Sequence, residues 1–272
     1  WMGAKMPMSS QLAELVRRKL DEARRSLYAG PEMEAVRPVL AIQARWSRIP
    51  APDELLIEQV DSEDGHHFFV FPFEGRAVHE GLGALAAYRA ARLEPRTVSV
   101  MVNDYGFELR SAEPLSLDEG EWRAIFSPEN LVDDLLACLN STELARRQFR
   151  EIARIAGLVF GGYPGAGKTT RQVQATSGLL YDVFTRFDPE NLLLDQARRE
   201  VLDSQLEVSR LRATMERIAG MKIVLTRPRA FTPLAFPLWA TFTETEVSSE
   251  RLPDRIQRMS LELEELADAE EE

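Results

Sequence analysis

One cysteine and three histidines in 272 residues exclude much of protein chemistry before any motif is read. A lone thiol, Cys138, rules out an intramolecular disulfide framework and fits a reducing cytoplasm, the expected location. It lies inside E-N-L-V-D-D-L-L-A-C-L-N, where it reads as a small apolar helix residue. His66 and His67 are adjacent in a strand pattern, so their side chains point to opposite faces. His79 lies on a helix pattern without His or Cys at i+3 or i+4, so no metal site is expected. No run approaches the ~20 apolar residues of a membrane span, and no membrane contact is expected. Also missing are a G-x-S-x-G elbow, an internal repeat, a low-complexity linker and signal-peptide architecture. No catalytic residue is expected. The chain opens on Trp1 and not on methionine, which suggests a processed chain or a piece of something longer.

What is present is unevenly charged. The net charge of −11 argues against nucleic acid only if it is spread evenly, and it is not. The tail 261–272 holds seven acidic residues and no basic one, which leaves −4 for the remainder. By contrast, 144–172 holds Arg146, Arg147, Arg150, Arg154, Lys168 and Arg171 against Glu151 alone. Local sign governs what a surface attracts, so global acidity decides little.

Periodicity predicts an α+β fold: an antiparallel sheet with covering helices, plus a helical subdomain with long amphipathic helices. Residues 1–30 form a lead-in and a helix capped by Ser9 or Ser10, with Leu12, Leu15, Val16, Lys19 and Leu20 on its face. Residues 31–117 form the antiparallel α+β part. Strands are expected at 39–46, 54–60, 66–73, 97–102 and 107–110, with a D-S-E-D-G hairpin turn, a helix over 76–93 and a turn at N-D-Y-G. The span 118–220 is helical, with one start at Ser127 followed by Pro128 and a long helix over 191–219. Residues 221–245 return as strands, the second demoted by its prolines to an edge or irregular segment. Residues 246–272 form an amphipathic helix and the acidic tail.

Gly162 to Thr169 read G-Y-P-G-A-G-K-T, a full match to the phosphate-binding P-loop. Such a loop needs a buried strand feeding a helix N-terminus, so that backbone N–H groups converge on phosphate while Lys168 and Thr169 reach phosphate and Mg²⁺. Upstream, however, Ala145, Phe149, Ile152, Ala156 and Val159 step by four, three, four and three, which is helix spacing. The nearest acidic partner, Asp195, follows three leucines in a helix-patterned run. The loop therefore reads as a glycine-rich bend between two helices. A nucleotide-binding P-loop protein stays as an alternative reading.

Nucleic acid is the ligand class that the remaining residues fit. Arg146, Arg147, Arg150 and Arg154 fall opposite the apolar stripe of their helix and are predicted to meet phosphate. Lys168 and Arg171 follow just beyond the helix end, on a glycine-rich loop that can approach a backbone closely. Trp1, Trp46, Trp122 and Trp239 are the aromatic rings able to stack on bases. Trp46 and Trp239 sit in strand patterns and read as core. Trp1, in the lead-in W-M-G-A-K-M-P with Lys5, is expected to be exposed. A third reading is an interaction module that docks through the 191–219 helix and the acidic tail.

Several stretches carry a family resemblance: W-M-G-A-K-M-P-M-S-S-Q-L-A, F-P-F-E-G-R-A-V-H-E-G-L, V-N-D-Y-G-F-E-L, F-S-P-E-N-L, A-R-R-Q-F-R-E-I-A-R-I-A-G-L-V-F and T-P-L-A-F-P-L. In this order they resemble the C-terminal, DEAD/H-associated or fourth domain of Lhr-type DEXH-box helicases, in the bacterial ligase-associated branch. The resemblance implies two RecA-like motor domains and a winged helix as same-chain partners, with ATP and Mg²⁺ bound there and no ATPase site in this piece. It implies a parent that moves 3′-to-5′ on single-stranded DNA, unwinds duplexes including RNA:DNA hybrids, and serves DNA repair. It also implies that Trp1 stacks on a base. On this reading the piece alone is a non-catalytic grip on single-stranded DNA.

Overall fold

The computed structural model describes residues 6, 8–62, 65–140, 143–159, 162–163, 166–167, 170–201, 207–243, 257, 260–261 and 263–264. Two compact units emerge, Trp1–Pro128 with Arg212–Glu272 and, inserted between them in sequence, Glu129–Leu211.

The first unit begins with α1 (Ser10–Arg24), whose N-cap Ser9 accepts from the Leu12 amide. Its inward face is Ala13, Val16, Leu20 and Ala23, so the expected Leu12 and Leu15 face solvent instead. The alanines allow close approach of the backbone, which selects that side of the helix.

Helix α2 (Pro31–Trp46) replaces the strand expected at 39–46. Pro31 stands at N1 behind Gly30, Glu32 and Glu34 lie in the first turn, and Arg45 lies in the last. Pro38 sits inside the helix without ending it. A fully buried side chain, Gln43, secures the segment. Its amide donates to Glu58 Oε1 (2.8 Å) and to the Arg48 carbonyl (3.1 Å), and its Oε1 accepts from the Leu234 amide (3.0 Å).

The sheet forms from β1 (Glu54–Ser62), β2 (Gly65–Phe71), β3 (Val98–Val102) and β4 (Phe107–Ser111), with α3 (Arg76–Leu93) between β2 and β3. These hairpins fall where strand-patterned runs between turn signals place them. After α4 (Glu119–Ile125), opened by an Asp118/Glu121 capping box, the chain leaves for the second unit. It returns through α9 (Val208–Ala219) to β7 (Lys222–Thr226). Strand β7 pairs with β1 in parallel, from Glu54↔Lys222 to Glu58↔Thr226, so the sheet is mixed and not antiparallel throughout. Its order is β3-β4-β2-β1-β7. The strand expected at 233–242 is helix α10 (Phe236–Thr243), where Pro237 occupies the first turn, a position that needs no N–H.

One side of the sheet carries Leu56, Val60, Phe69 and Phe71, packed with Phe231, Ala235 and Leu238. On the other, Phe68 meets Trp122, which stacks on Phe126. Trp122 is fully buried and offers no base-stacking surface. Trp46 and Trp239 are half-buried helix residues, not strand residues.

In chain order the second unit contains α5 (Leu131–Asn140), α6 (Glu143–Ile155), the two-residue strands β5 (Gly162–Tyr163) and β6 (Ala166–Gly167), α7 (Thr170–Phe187) and α8 (Leu192–Glu200). Helix α5 begins after Asn130, not at Ser127: Asn130 takes φ 54° and its carbonyl accepts from Asp134 N. Cys138 is buried on α5, as its pattern predicts. Two helices, α8 and α9, carry the pattern read as one long helix over 191–219, and Glu207 at φ 43° precedes the second.

Candidate nucleic-acid interface

Helix α6 is built by its apolar spacing. Ala145, Phe149, Ile152 and Ala153 are buried, and Val159 joins their cluster with Tyr181, Leu194 and Ala197. Ala156, predicted on that face, is exposed, and Ala153 takes its place. Placed at about 100° per residue, Arg147 lies diametrically opposite the buried arc, Arg154 beside it, and Arg146 and Arg150 at its margin. Burial follows: Arg147 and Arg154 are exposed, Arg146 and Arg150 half-buried.

The four arginines are not equivalent. Both Nη atoms of Arg146 donate to Asp182, at 3.2 and 2.5 Å, and its guanidinium lies 5.4 Å from the Tyr181 ring centroid. Arg154 pairs with Glu151 one turn away at 2.6 Å. Among the described residues Arg147 and Arg150 have no carboxylate partner, and Arg150 Nε is buried with no acceptor. Sequence spacing presented the four as one face. The separation comes from Asp182, 36 positions away, which no local pattern marks.

Helix α6 ends in a Schellman motif. Gly157 takes φ +74°, its amide donates to the Arg154 carbonyl (3.1 Å), and the Leu158 amide donates to the Ala153 carbonyl (2.9 Å). Val159 N also bonds the Ala153 carbonyl, so this stretch closes a helix and belongs to no parallel sheet. The glycine-rich loop follows as a small antiparallel pairing, Gly162↔Gly167 and Tyr163↔Ala166, and leads into α7. Its neighbours in sequence are helices, as the spacing predicts. Lys168, Trp1 and Lys5 lie outside the described residues, as does the side chain of Arg171 on α7.

Other polar clusters of the first unit resolve into structural roles. His67 Nδ1 meets Glu108 Oε1 at 2.6 Å and its Nε2 meets Ser62 Oγ at 2.8 Å, the order of a hydrolase relay. Yet His67 is fully buried against Phe69 and Phe231, so its Nε2 is shielded from any substrate. His79 Nε2 accepts from the Glu74 amide, which leaves Nδ1–H to donate to the Asn103 carbonyl at 2.7 Å. Glu74 also joins Arg17 (2.5 Å) and Arg217 (2.9 Å). Burial pulls the Arg217 pKa down, against the opposing pull of Glu74. Asn103, Asp104 and Tyr105 form the turn predicted for them, and Asp104 additionally ties in Met8. No cluster of three or more His, Cys, Asp or Glu with metal-holding geometry occurs among the described residues.

Residues 49–235 match the family model described as DEAD/H associated. The chain is 27% identical over 255 residues to ATP-dependent helicase Lhr-Core protein 2 of Thermococcus barophilus, covering 88% of this chain and 29% of that protein. It is 30% identical over 201 residues to ATP-dependent helicase Lhr-Core of Methanothermobacter thermautotrophicus, covering 73% and 23%. A solved structure, Mycobacterium smegmatis helicase Lhr bound to ssDNA and AMP-PNP, superposes with a TM-score of 0.70 at 21% identity, over 88% of this chain and 32% of that one. That likeness supports the fold, and the chain spans less than a third of the length of each of these proteins. With the family model spanning every strand of the five-stranded sheet and the whole helical unit, the chain belongs to the DEAD/H associated family, and the proteins it resembles here are Lhr helicases.

Proposed function

We propose that this chain is a nucleic-acid-binding accessory domain of an ATP-dependent 3′-to-5′ single-stranded-DNA translocase, and that α6 supplies its phosphate contacts. The observation that carries the reading is the unneutralised charge of Arg147 and Arg150 on a helix whose opposite face is locked in a core. Arg154 can leave its exposed local partner at small cost, since such pairs contribute about 0.3–0.5 kcal/mol. Arg146 is the weakest contributor, because Asp182 already neutralises it. Lys168 and Arg171 extend the basic surface, and Trp1 with Lys5 adds a stacking contact from the lead-in.

ATP and Mg²⁺ act in the motor domains of the parent chain, and this domain has no ATPase site of its own. Single-stranded DNA is the leading ligand, with RNA:DNA hybrids, a role in repair, a cytoplasmic setting and the bacterial ligase-associated branch as parts of the same reading. The superposition on a helicase bound to single-stranded DNA supports the single-stranded-DNA part of this reading.

Anisotropy of a labelled oligo-dT at two salt concentrations tests the phosphate contacts. Changing Arg147 and Arg150 together to Ala should weaken binding and lower the log–log salt slope by about 1.4, since each single-strand phosphate contact contributes about 0.7. Unchanged affinity and slope would remove the proposal. A second reading, docking onto another domain of the parent, is favoured by one observation. Leu179, Val183 and Phe187 form an exposed apolar stripe at i, i+4 and i+8 of α7.

A further inference from the structure

Among the described residues of the first unit large exposed aromatic side chains are scarce, and Tyr105 is one of them, 47% exposed at the tip of the β3–β4 turn. A tyrosine kept for the core would be buried, and one kept for its hydroxyl would be paired. Tyr105 is neither: its hydroxyl has no partner among the described residues.

Its backbone, by contrast, is held from several directions. Asn103 Oδ1 accepts from the amides of Tyr105 (2.8 Å) and Gly106 (2.9 Å), and Asn103 N donates to the Gly106 carbonyl. The Tyr105 carbonyl accepts from Phe73 N at 3.1 Å, and the Asp104 carbonyl from Gly75 N at 3.2 Å. Behind the turn, His79 fixes the Asn103 carbonyl. An exposed ring on a backbone this restrained has already lost the freedom that ligand binding would otherwise cost.

Two neighbours suit the ring to nucleic acid. The carboxylate next to it, Asp104, is occupied: Oδ1 accepts from Met8 N (3.2 Å) and Arg76 N (3.0 Å), the latter in the first turn of α3. Its negative charge is thus partly offset by two amide dipoles. Met8 packs against this turn, and the glycine at position 75 permits the close approach. Gly75 takes φ +91°, and a Cβ there would stand 2.7 Å from the Met8 carbonyl oxygen.

We propose that Tyr105 is a stacking platform for a nucleobase of single-stranded nucleic acid. The proposal rests on the reading above that the chain binds such a strand, but it uses none of the α6 arginines. Stacking on an aromatic face tolerates any base, so Tyr105 adds affinity without sequence preference.

The test compares Tyr105→Ala, Tyr105→Phe and the Arg147/Arg150 double Ala variant, using oligo-dT, the same oligomer with 2-aminopurine, and an abasic oligomer. Tyr105→Ala should weaken oligo-dT binding about 5- to 150-fold, the range of single-base stacking losses. Its salt slope should stay unchanged, and its melting temperature should stay near that of the parent, because the ring is exposed. Tyr105→Phe should bind like the parent and keep the 2-aminopurine quenching that the Ala variant loses. The abasic oligomer should not distinguish parent from Ala. Equal oligo-dT affinity of parent and Ala, or equal losses in Phe and Ala, would overturn the stacking role. If the arginine variant weakens binding and Tyr105→Ala does not, stacking alone fails. If neither changes binding, the functional reading fails with it.

Discussion

The two units of this chain handle polar groups in opposite ways. In the sheet unit they are buried and joined over long sequence distances. Gln43 reaches Glu58 and Leu234, Thr232 donates to Glu58 at 2.5 Å, His67 meets Glu108, and Glu74 gathers Arg17 and Arg217. In the helical unit the core is apolar and aromatic, with Phe149 edge-on to Tyr181 and Phe184. Among the described residues its ion pairs include three about one helical turn long, Arg154–Glu151, Arg199–Asp195 and Arg210–Glu207, and the first two are exposed. A buried network specifies a single arrangement, because a partly satisfied one is costly. A surface network specifies little and leaves side chains free to exchange partners. The sheet unit is therefore suited to hold geometry, and the helical unit to present charge.

The sharpest way to break that contrast is Phe149→Ala. Removing a fully buried aromatic ring should cost about 3–5 kcal/mol, all of it in the helical unit. Hydrogen exchange should then show protection lost across α6 and α8 while β1, β2 and β4 keep theirs. Equal loss in both would mean that the units unfold as one.

Glu58 gives a smaller effect with a defined sign. Burial pushes its pKa above the ordinary 4.5, against hydrogen bonds from Ser47, Thr232 and Gln43 that pull it down. The folded state therefore holds this proton more tightly than the unfolded chain does. Its stabilising contribution is complete below the unfolded value and is lost as pH rises through the elevated folded one. Stability should fall across that window with a slope of at most about 1.4 kcal/mol per pH unit from this group. Glu58→Gln should flatten the slope in chemical denaturation and leave the variant more stable than the parent above the window. A parent-like slope in the variant would assign the pH dependence elsewhere.

Asp182→Ala should have the smallest effect. Loss of an exposed pair costs at most about 1 kcal/mol of stability. The change releases Arg146 from its counter-ion, so oligo-dT affinity should rise by a few-fold at low salt and the salt slope should steepen. Lower affinity would show that Asp182 holds Arg146 in a productive geometry.

Much of this organisation is legible from residue order. Apolar, strand-patterned runs bounded by turn residues locate β1, β2, β3 and β4, and the helix over 76–93 falls on Arg76–Leu93. The three-four spacing before the glycine-rich loop identifies α6, and Gly157 is the stop signal that confirms it. Local pattern fails where distant partners decide. Pro38 with Val39 and Ile42 resembles a broken strand, yet Gln43 binds three separate segments and the stretch folds as α2. Prolines near 233–238 look like strand breakers, but Pro237 sits where a helix tolerates it. The parallel pairing of β7 depends on Glu54, 168 positions from Lys222, and no window contains both. The inequality among the α6 arginines likewise comes from Asp182 on another helix.

That late pairing has a consequence for synthesis. While the chain is being made, β1 has its antiparallel neighbour early but shows a bare edge until Lys222 to Thr226 have emerged. An uncovered edge of this kind invites pairing with other chains. The ribosome must deliver an entire helical unit before the sheet can be sealed, which makes the interval between Ser62 and Lys222 the period of greatest aggregation risk for a nascent molecule.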